Sequence, residues 1–396
     1  MAIAWLPVAD IPLNAQEPTT QSPAEPQPLP TPPTTGPLQT APPVTFNAGP
    51  FGTLDITGVV SMLVLAQGNH LVGDKSLHAD LSNGQVFIQK TKGWWQIYVQ
   101  VGAYNLPALG TAYFATVDAV RDWYGPLPVG YLKLVPARGS QKSGKNFSIL
   151  IGLLPTLIGA EYPFTFQNMN IERGLLWNQG NAINRGVQVN ETLGHLSASM
   201  SWNDGFYSDR FNWLTGSLTY ALNKSSALNK SNTLAFKAGG NLGKTAYHNL
   251  ATPVQNNSSI YDVIYSYTQG SWIIEPYFQY TAVPTNPKIG VPKGAATRGG
   301  SVLLTYKLQH GFSLSGRAEY ISSTGNAREQ AVNLLYGQGS GASSLTLTPT
   351  FQNHGFFARG DFSVVWADRY AAGAAFGPQG TTRSQPRAAI EAGVMF

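Results

Sequence analysis

The residues best suited to chemistry form no catalytic or metal-binding set in this sequence. The stretch GSQKSGKN at 139–146 nearly matches a phosphate-binding loop, but Asn146 stands where a Ser or Thr would hold magnesium. Its flanking segments alternate like strands, whereas a phosphate-binding loop leads into a helix. No G-x-S-x-G nucleophile motif occurs, and the six His residues lack metal-ligand spacing. We therefore predict no catalytic residue, no metal site and no cofactor.

A second group of polar side chains lies in residues 152–189, GLLPTLIGAEYPFTFQNMNIERGLLWNQGNAINRGVQV, where the alternation of the surrounding sequence breaks. The charged and amide residues of this segment are Glu161, Asn168, Asn170, Glu172, Arg173 and Arg185. Across a pore, Glu161 opposite Arg173 or Arg185 would set a transverse field that selects solutes by charge and size. The same side chains could instead brace a loop against a wall through salt bridges and hydrogen bonds. The sequence leaves both roles open, and they are compatible.

The elements that must position this segment are strands with one apolar face and one polar face. LSASMSWN at 196–203 alternates without an error, placing Leu, Ala, Met and Trp on one side and Ser or Asn on the other. Similar segments recur from Phe51 to Phe396, separated by clusters of Gly, Asn, Ser and Pro. Hairpins are predicted around Gly270 and at 309–311. Trp residues at strand ends in the apolar phase are typical of an interfacial girdle.

Charged side chains fall on the polar face of these strands wherever the phase is clear. Arg317 and Glu319, for example, share the face opposite Phe312 and Tyr320. A Lys or Arg at mid-bilayer on a lipid-facing surface costs roughly 2–4 kcal/mol, so a membrane barrel must turn such residues inward. We therefore predict that seven charges face a lumen: Lys237, Lys307, Arg317, Glu319, Arg359, Asp361 and Glu391.

Composition supports a membrane barrel over a soluble sheet. Only 11% of the 396 residues are charged, against roughly 25% in soluble domains. The longest apolar run, 147–160, is shorter than the about 20 residues of a membrane helix. We predict an all-β, transmembrane, antiparallel up-and-down β-barrel of about 16 strands, with 14 or 18 as alternatives, at roughly 20–23 residues per strand and connection. Such a barrel keeps an aqueous channel, and the scattered basic residues predict no nucleic-acid partner.

The predicted barrel, residues 51–396, follows two other segments. Residues 1–16 resemble the end of a signal peptide with a cleavage site after Ala15, although no Lys or Arg precedes Lys75. We interpret them as a partial signal. In 17–50, eleven of the residues are Pro, a composition typical of a disordered linker.

The element order within 152–189 resembles the β-barrel porins of the Gram-negative outer membrane, the OmpL-like group. The elements are Gly159 and Glu161, then Asn168 and Asn170, then Arg173, then a returning strand at Gly186. One departure is the Glu172–Arg173–Gly174 stretch, where many relatives have a Ser near the Arg. The resemblance implies an outer-membrane channel for passive diffusion of small hydrophilic solutes, ions or sugars, with 159–186 as a constriction or bracing loop. The alternatives are an outer-membrane enzyme of lipase or esterase type and a structural or adhesive barrel.

The final residues AAIEAGVMF alternate and end on Phe396 in the apolar phase. A closed barrel has to pair its last strand with its first, so this segment should meet the strand near Leu54–Leu65. A terminal Phe also resembles the signature by which outer-membrane barrels are recognised for assembly.

For an outer-membrane porin, the expected partners are outer-membrane lipid and lipopolysaccharide, the barrel-assembly machinery, small hydrophilic solutes and other copies of the chain in a homo-oligomer.

Overall fold

The computed structural model describes residues 32–136, 145–223, 230–243 and 253–396. Its strands belong to one sheet of seventeen. They are β1 (Val44–Asn47), β2 (Thr53–Gln67), β3 (Leu77–Lys90), β4 (Trp95–Tyr104), β5 (Val129–Leu134), β6 (Lys145–Pro155), β7 (Ile183–Leu193), β8 (Leu196–Asn203), β9 (Trp213–Ala221), β10 (Lys230–Asn241), β11 (Ser259–Gln269), β12 (Trp272–Val283), β13 (Ala295–Lys307), β14 (Phe312–Ser323), β15 (Gly341–Asn353), β16 (Phe356–Asp368) and β17 (Ser384–Met395).

In the part of the chain that the structure describes, helical structure is confined to single turns in the connections. The α-helical turns are α1 (Thr116–Ala119) and α2 (Pro253–Asn256); the others are a π turn at Val120–Tyr124 and 3₁₀ turns at Gly49–Phe51, Thr165–Gln167, Leu176–Gln179 and Pro287–Ile289. None of the helices in the described ranges is long and apolar enough to span a bilayer.

The sixteen strands β2–β17 close into an antiparallel barrel. Each pairs with the next along the chain, and β17 returns to β2 from Arg387↔Gln67 to Met395↔Val59. Closure leaves no strand edge unpaired in hydrocarbon, which is what allows a sheet to cross a membrane. The predicted strand number and seam are confirmed. The short β1 pairs with β2 just beyond the end of β17 and so continues the row that β17 occupies.

The barrel is apolar outside and mostly polar inside. On β8, Met200 and Trp202 are 58% and 52% exposed, whereas Ser201 and Asn203 are buried toward the interior. A soluble sheet would bury the first pair and expose the second, so the exposed apolar face is the lipid-facing surface. The predicted alternation of faces is confirmed.

Connections at the two ends of the barrel differ in length. At the end where β2 begins and β17 stops, most strands are joined by tight turns, including the predicted hairpins at 270–271 and 308–311; the connections 135–144 and 222–229 are longer. At the opposite end the connections are longer, among them 156–182. In outer-membrane barrels short turns face the periplasm and long loops face outward. We call these the turn end and the loop end.

Residues 32–50 are ordered against the barrel. Leu38 is 1% exposed within an apolar cluster inside it. The backbone N–H groups of Thr35 and Gly36 donate to the carbonyl of Gln167 at 2.8 and 3.2 Å. Proline-rich backbone is extended and has few donors, so it can lie on a buried surface without orphaned N–H groups. The structure therefore differs from the disordered-linker prediction over 32–50; residues 1–31 lie outside the described residues.

Candidate functional site

The connection between β6 and β7, residues 156–182, folds into the barrel, and we call it the inward loop. Its apolar side chains Met169, Leu175 and Leu176 are buried against the inner face of the barrel. The wall residues of that cluster include Ile264, Tyr277, Leu303, Ile321 and Val365. A core therefore lies inside the barrel, where the alternation alone predicts only water. Burial of these side chains favours keeping the loop against the wall.

Two ion pairs join the inward loop to the wall. The Glu161 carboxylate accepts from Arg317 Nη1 at 2.7 Å, and Glu172 accepts from Arg387 Nη1 at 2.7 Å. All four side chains are almost completely buried. Glu161 also accepts from the backbone N–H of Gly174 at 2.9 Å. Removing one partner of such a pair would leave a buried charge uncompensated, so each pair holds the loop in place.

Other predicted lumen charges bind the backbone of the inward loop. Arg359 donates to the carbonyls of Thr165 and Asn168, both at 2.9 Å. Asp361 accepts from the Glu172 N–H at 2.9 Å, as Glu319 does from Leu175 N–H, also at 2.9 Å. Glu391 accepts from the Thr165 hydroxyl at 2.6 Å. These wall charges therefore satisfy buried backbone groups that the irregular loop cannot pair within itself.

The two amides of the segment have different partners. Asn168 closes a turn within the loop, accepting from Tyr162 N–H at 2.7 Å and donating to the Tyr162 and Phe164 carbonyls at 2.8 and 2.9 Å. Asn170 donates to the Thr348 hydroxyl on β15 at 2.6 Å. One amide shapes the loop, and the other ties it to the wall.

Arg173, in the inward loop, is completely buried. Its backbone N–H donates to Pro107 at 3.0 Å, its carbonyl accepts from Leu109 at 2.9 Å, and its guanidinium donates to the Pro163 carbonyl. The guanidinium also lies 5.2 Å from the ring centre of Trp177. Burial lowers the pKa of Arg173 to about 9, with nearby carboxylates opposing the shift. The Arg173 backbone therefore links the inward loop to the β4–β5 connection, and its guanidinium holds the Pro163 carbonyl within the loop.

Arg185, at the start of β7, is not brought to Glu161. It forms an ion pair with Asp204 at 2.8 Å and another with Asp209, and its guanidinium stacks 3.9 Å above the Tyr207 ring. Arg317 takes the place beside Glu161 that the sequence assigned to Arg173 or Arg185. The counter-charge of Glu161 therefore comes from β14, a strand distant in sequence, and residue spacing alone does not predict this pair.

The opposite arc of the barrel keeps a partly exposed polar inner face. Neighbouring strands β6–β10 align Ser148, Asn190, Ser199, Ser217 and Lys237 in register, and we call these residues the polar row. All five are partly exposed, whereas inner-face residues of β14–β17 are buried beneath the inward loop. Lys237 donates from Nζ to the Gly159 carbonyl at 2.7 Å, where the row meets the loop.

Two further lysines lie on partly exposed inner positions. Lys133 alternates with the outward-facing Leu132 on β5. Lys307 continues the inward phase of β13 near the turn end. Partly exposed inner positions therefore lie along the polar row, on the adjacent β5 and, near the turn end, on β13.

The alternation of the strands also indicates inner positions that were not predicted above. Arg387 shares the inward phase of β17 with Glu391, and that parity alone would have added it to the lumen charges. Leu38 gave no such signal, because it lies in a proline-rich run.

The stretch 139–144 of the near phosphate-binding motif lies outside the described residues. Within the described ranges, no group of His, Asp or Glu has the arrangement of a metal site.

Known proteins share both the sequence pattern and the fold. Residues 53–396 match the family model described as "Putative beta-barrel porin-2, OmpL-like". No curated protein matches the chain in sequence. The outer membrane channel DcaP of Acinetobacter baumannii superposes with a TM-score of 0.54 at 10% identity, covering 87% of this chain and 97% of that chain.

Two other structures give similar values. A loop L8 deletion mutant of OmpT, an outer membrane protein of Vibrio cholerae, has a TM-score of 0.53 at 15% identity over 87% of this chain and 99% of its own. OmpF of Salmonella typhi, in complex with daunomycin, has a TM-score of 0.50 at 11% identity over 87% and 98%. At these identities the likeness concerns the fold alone.

Proposed function

Since the chain belongs to the OmpL-like β-barrel porin family, we propose that its outer-membrane barrel lets small hydrophilic solutes, ions and sugars among them, diffuse passively. The division of the inner face supports this proposal. The β14–β17 side is covered by the inward loop, while the polar row on β6–β10 is partly exposed. A barrel of this size has room for both a loop and a water-filled path.

The inward loop narrows this path and sets its width. Its ion pairs and backbone hydrogen bonds brace it against β14–β17, and the Lys237 contact with the Gly159 carbonyl closes the gap on the β10 side. The open path therefore lies along the other members of the polar row, on β6–β9. Glu161, Glu172 and Arg173 then act as braces, because each is buried with its partners. In this proposal the buried charges brace the loop, and the loop backbone narrows the path.

The inner charges near the open arc include three lysines and, beside Lys237, the carboxylates of Asp262 and Glu275. Glu161 and Glu172 are each paired with an arginine, and so they contribute little net field to the path. Lys133, Lys237 and Lys307 lie on partly exposed inner positions. Positive side chains along a confined aqueous path raise the local concentration of anions. Asp262 and Glu275 lie beside Lys237 and offset part of this effect, so we expect only a weak anion preference.

We do not assign the barrel the alternative role of a lipase or esterase. The buried acids of the interior are held by arginines and backbone N–H groups, and family membership points to transport. Phospholipid and ester hydrolysis by the folded protein would favour the enzyme alternative.

Phe396 has a defined structural position that suits a role in assembly. Its backbone exchanges hydrogen bonds with Gly58 at 2.7 and 3.0 Å, and a Cβ on Gly58 would lie 2.3 Å from its ring. The ring therefore covers the glycine at the seam, on the lipid-facing side. Recognition of this end by the barrel-assembly machinery is part of the proposal.

The decisive experiment is reconstitution of the folded protein in planar bilayers and liposomes. Discrete conductance steps, and swelling in small sugars but not in large oligosaccharides, are expected. Heat-modifiable migration on gels establishes that the sample is folded. Folded protein that neither conducts nor permits swelling would refute the channel.

A further inference from the structure

The outer surface carries a cleft near the loop end that the channel does not use. It encloses about 430 Å³ between β12, β13 and β14, over Ser322 and Thr324. Arg298 and Arg369 line its upper part, and Tyr320 lines its lower part. We call it the outer cleft. Because Tyr320 and its neighbours on this side belong to the exposed apolar phase, the cleft opens toward lipid and not toward the lumen.

Two guanidinium groups converge on the upper part of this cleft. Arg298 is exposed and has no ion pair within the described ranges, and Arg369 is exposed beside Asp368 with Nε at 3.1 Å. The Arg369 Nη2 atom and the Tyr320 hydroxyl lie 3.3 and 3.5 Å from the position of a Cβ on Gly341. The Arg369 guanidinium and the Tyr320 hydroxyl therefore meet over one glycine, and Arg298 lines the same cleft, so three donor groups surround it.

An apolar groove continues from the cleft toward the membrane centre. It is a shallow, open groove with a volume of about 630 Å³ that shares Phe278, Gly300 and Tyr320 with the cleft and extends to Val302 and Ala318. Gly300 has no side chain between the two exposed rings, which opens the groove. An extended hydrocarbon chain fits a groove of this shape and polarity.

We propose that the outer cleft binds a phosphorylated lipid of the outer leaflet, of the lipid A type. Its phosphate lies between Arg298 and Arg369, and one acyl chain follows the groove across Gly300. Guanidinium groups match phosphate geometry through paired N–H donors. A second copy of the chain packed here would bury the Arg298 charge, which has no ion pair within the described ranges, and this is costly. A lipid supplies the phosphate and the chain together.

The test measures binding of purified, folded protein in detergent to bis-phosphorylated lipid A and to the same lipid without phosphates. The double variant Arg298→Gln and Arg369→Gln should weaken binding of the phosphorylated lipid at least about tenfold, since two charge-assisted contacts are lost. Its control is Arg121→Gln with Arg210→Gln, which removes equal charge from exposed positions on the β4–β5 and β8–β9 connections. That control should bind within about twofold of the wild type.

A second variant tests the groove without changing charge. Gly300→Leu fills it, and its Cβ meets only the Tyr277 carbonyl at 3.5 Å, so the barrel accepts the substitution. Gly216→Leu on β9 is the matched lipid-facing control, with Ser199 O at 3.7 Å. We expect Gly300→Leu to weaken lipid binding about tenfold and Gly216→Leu to leave lipid binding unchanged. Equal binding of dephosphorylated lipid, equal loss in either control, or oligomers that dissociate on filling the groove would overturn the proposal. Conductance should not change in any variant, which separates this test from that of the channel.

Discussion

Replacing Leu38 with Ala should detach the N-terminal segment from the inward loop. Leu38 is buried among apolar side chains inside the barrel, two residues after the amide of Gly36 that donates to Gln167 O at 3.2 Å. Thr35 donates to the same carbonyl at 2.8 Å. These two amides exchange with solvent only when the segment leaves its site, so their exchange rates report the detached population.

The size of the effect follows from the lost burial. Truncating a buried Leu to Ala costs about 2–5 kcal/mol when the surroundings cannot relax. In the Leu38→Ala protein the N-terminal segment can detach from the barrel instead of leaving a cavity. We therefore take about 2–3 kcal/mol as the loss in the free energy that holds the segment in place. At 1.4 kcal/mol per factor of ten, the detached population rises about 25- to 140-fold. The amide exchange of Thr35 and Gly36 should accelerate by the same factor.

Hydrogen exchange followed by mass spectrometry of the peptide covering 34–41 measures this change directly. Gln39→Ala is the matched control, because Gln39 is exposed and contacts Gln352 through its backbone. Amides in the β11–β12 hairpin should exchange as in the wild type. Exchange of Thr35 and Gly36 within about twofold of the wild type in the Leu38→Ala protein would show that Leu38 does not hold the segment. The same acceleration in the Gln39→Ala control would do so as well.

Three further outcomes are expected. Replacing both Lys133 and Lys237 with Gln should move the reversal potential under a salt gradient toward cation preference, and an unchanged potential would contradict the proposed path along the polar row. Glu172→Gln should lower the free energy of unfolding in urea by about 3–5 kcal/mol, since its buried arginine partner loses a carboxylate at 2.7 Å; Glu329→Gln, in an exposed pair at 3.9 Å, should lose less than about 1 kcal/mol. Deleting Phe396 should lower the heat-modifiable, membrane-inserted fraction in cells far more than loss of one exposed ring would; insertion at wild-type yield would exclude the assembly role.

Local periodicity was sufficient to predict the barrel wall. The two-residue period of strands such as LSASMSWN decides which side chains face lipid, because a strand turns its side chains alternately to the two faces whatever it pairs with. The same period put Arg317, Arg359 and Glu391 on inner positions. Strand number followed from chain length, and the seam followed from the need to close the barrel.

Only the tertiary structure decided what the inner charges contact. Glu161 meets Arg317 across 156 residues of sequence, and Glu172 meets Arg387 across 215. Such pairs depend on how an irregular loop crosses a closed barrel, and no period in the sequence encodes that path. Leu38 is the clearest case: its neighbours in sequence favour an extended, solvated chain, but the apolar cluster inside the barrel offers it burial. That free energy comes from residues distant in sequence, so it exists only once the barrel has closed.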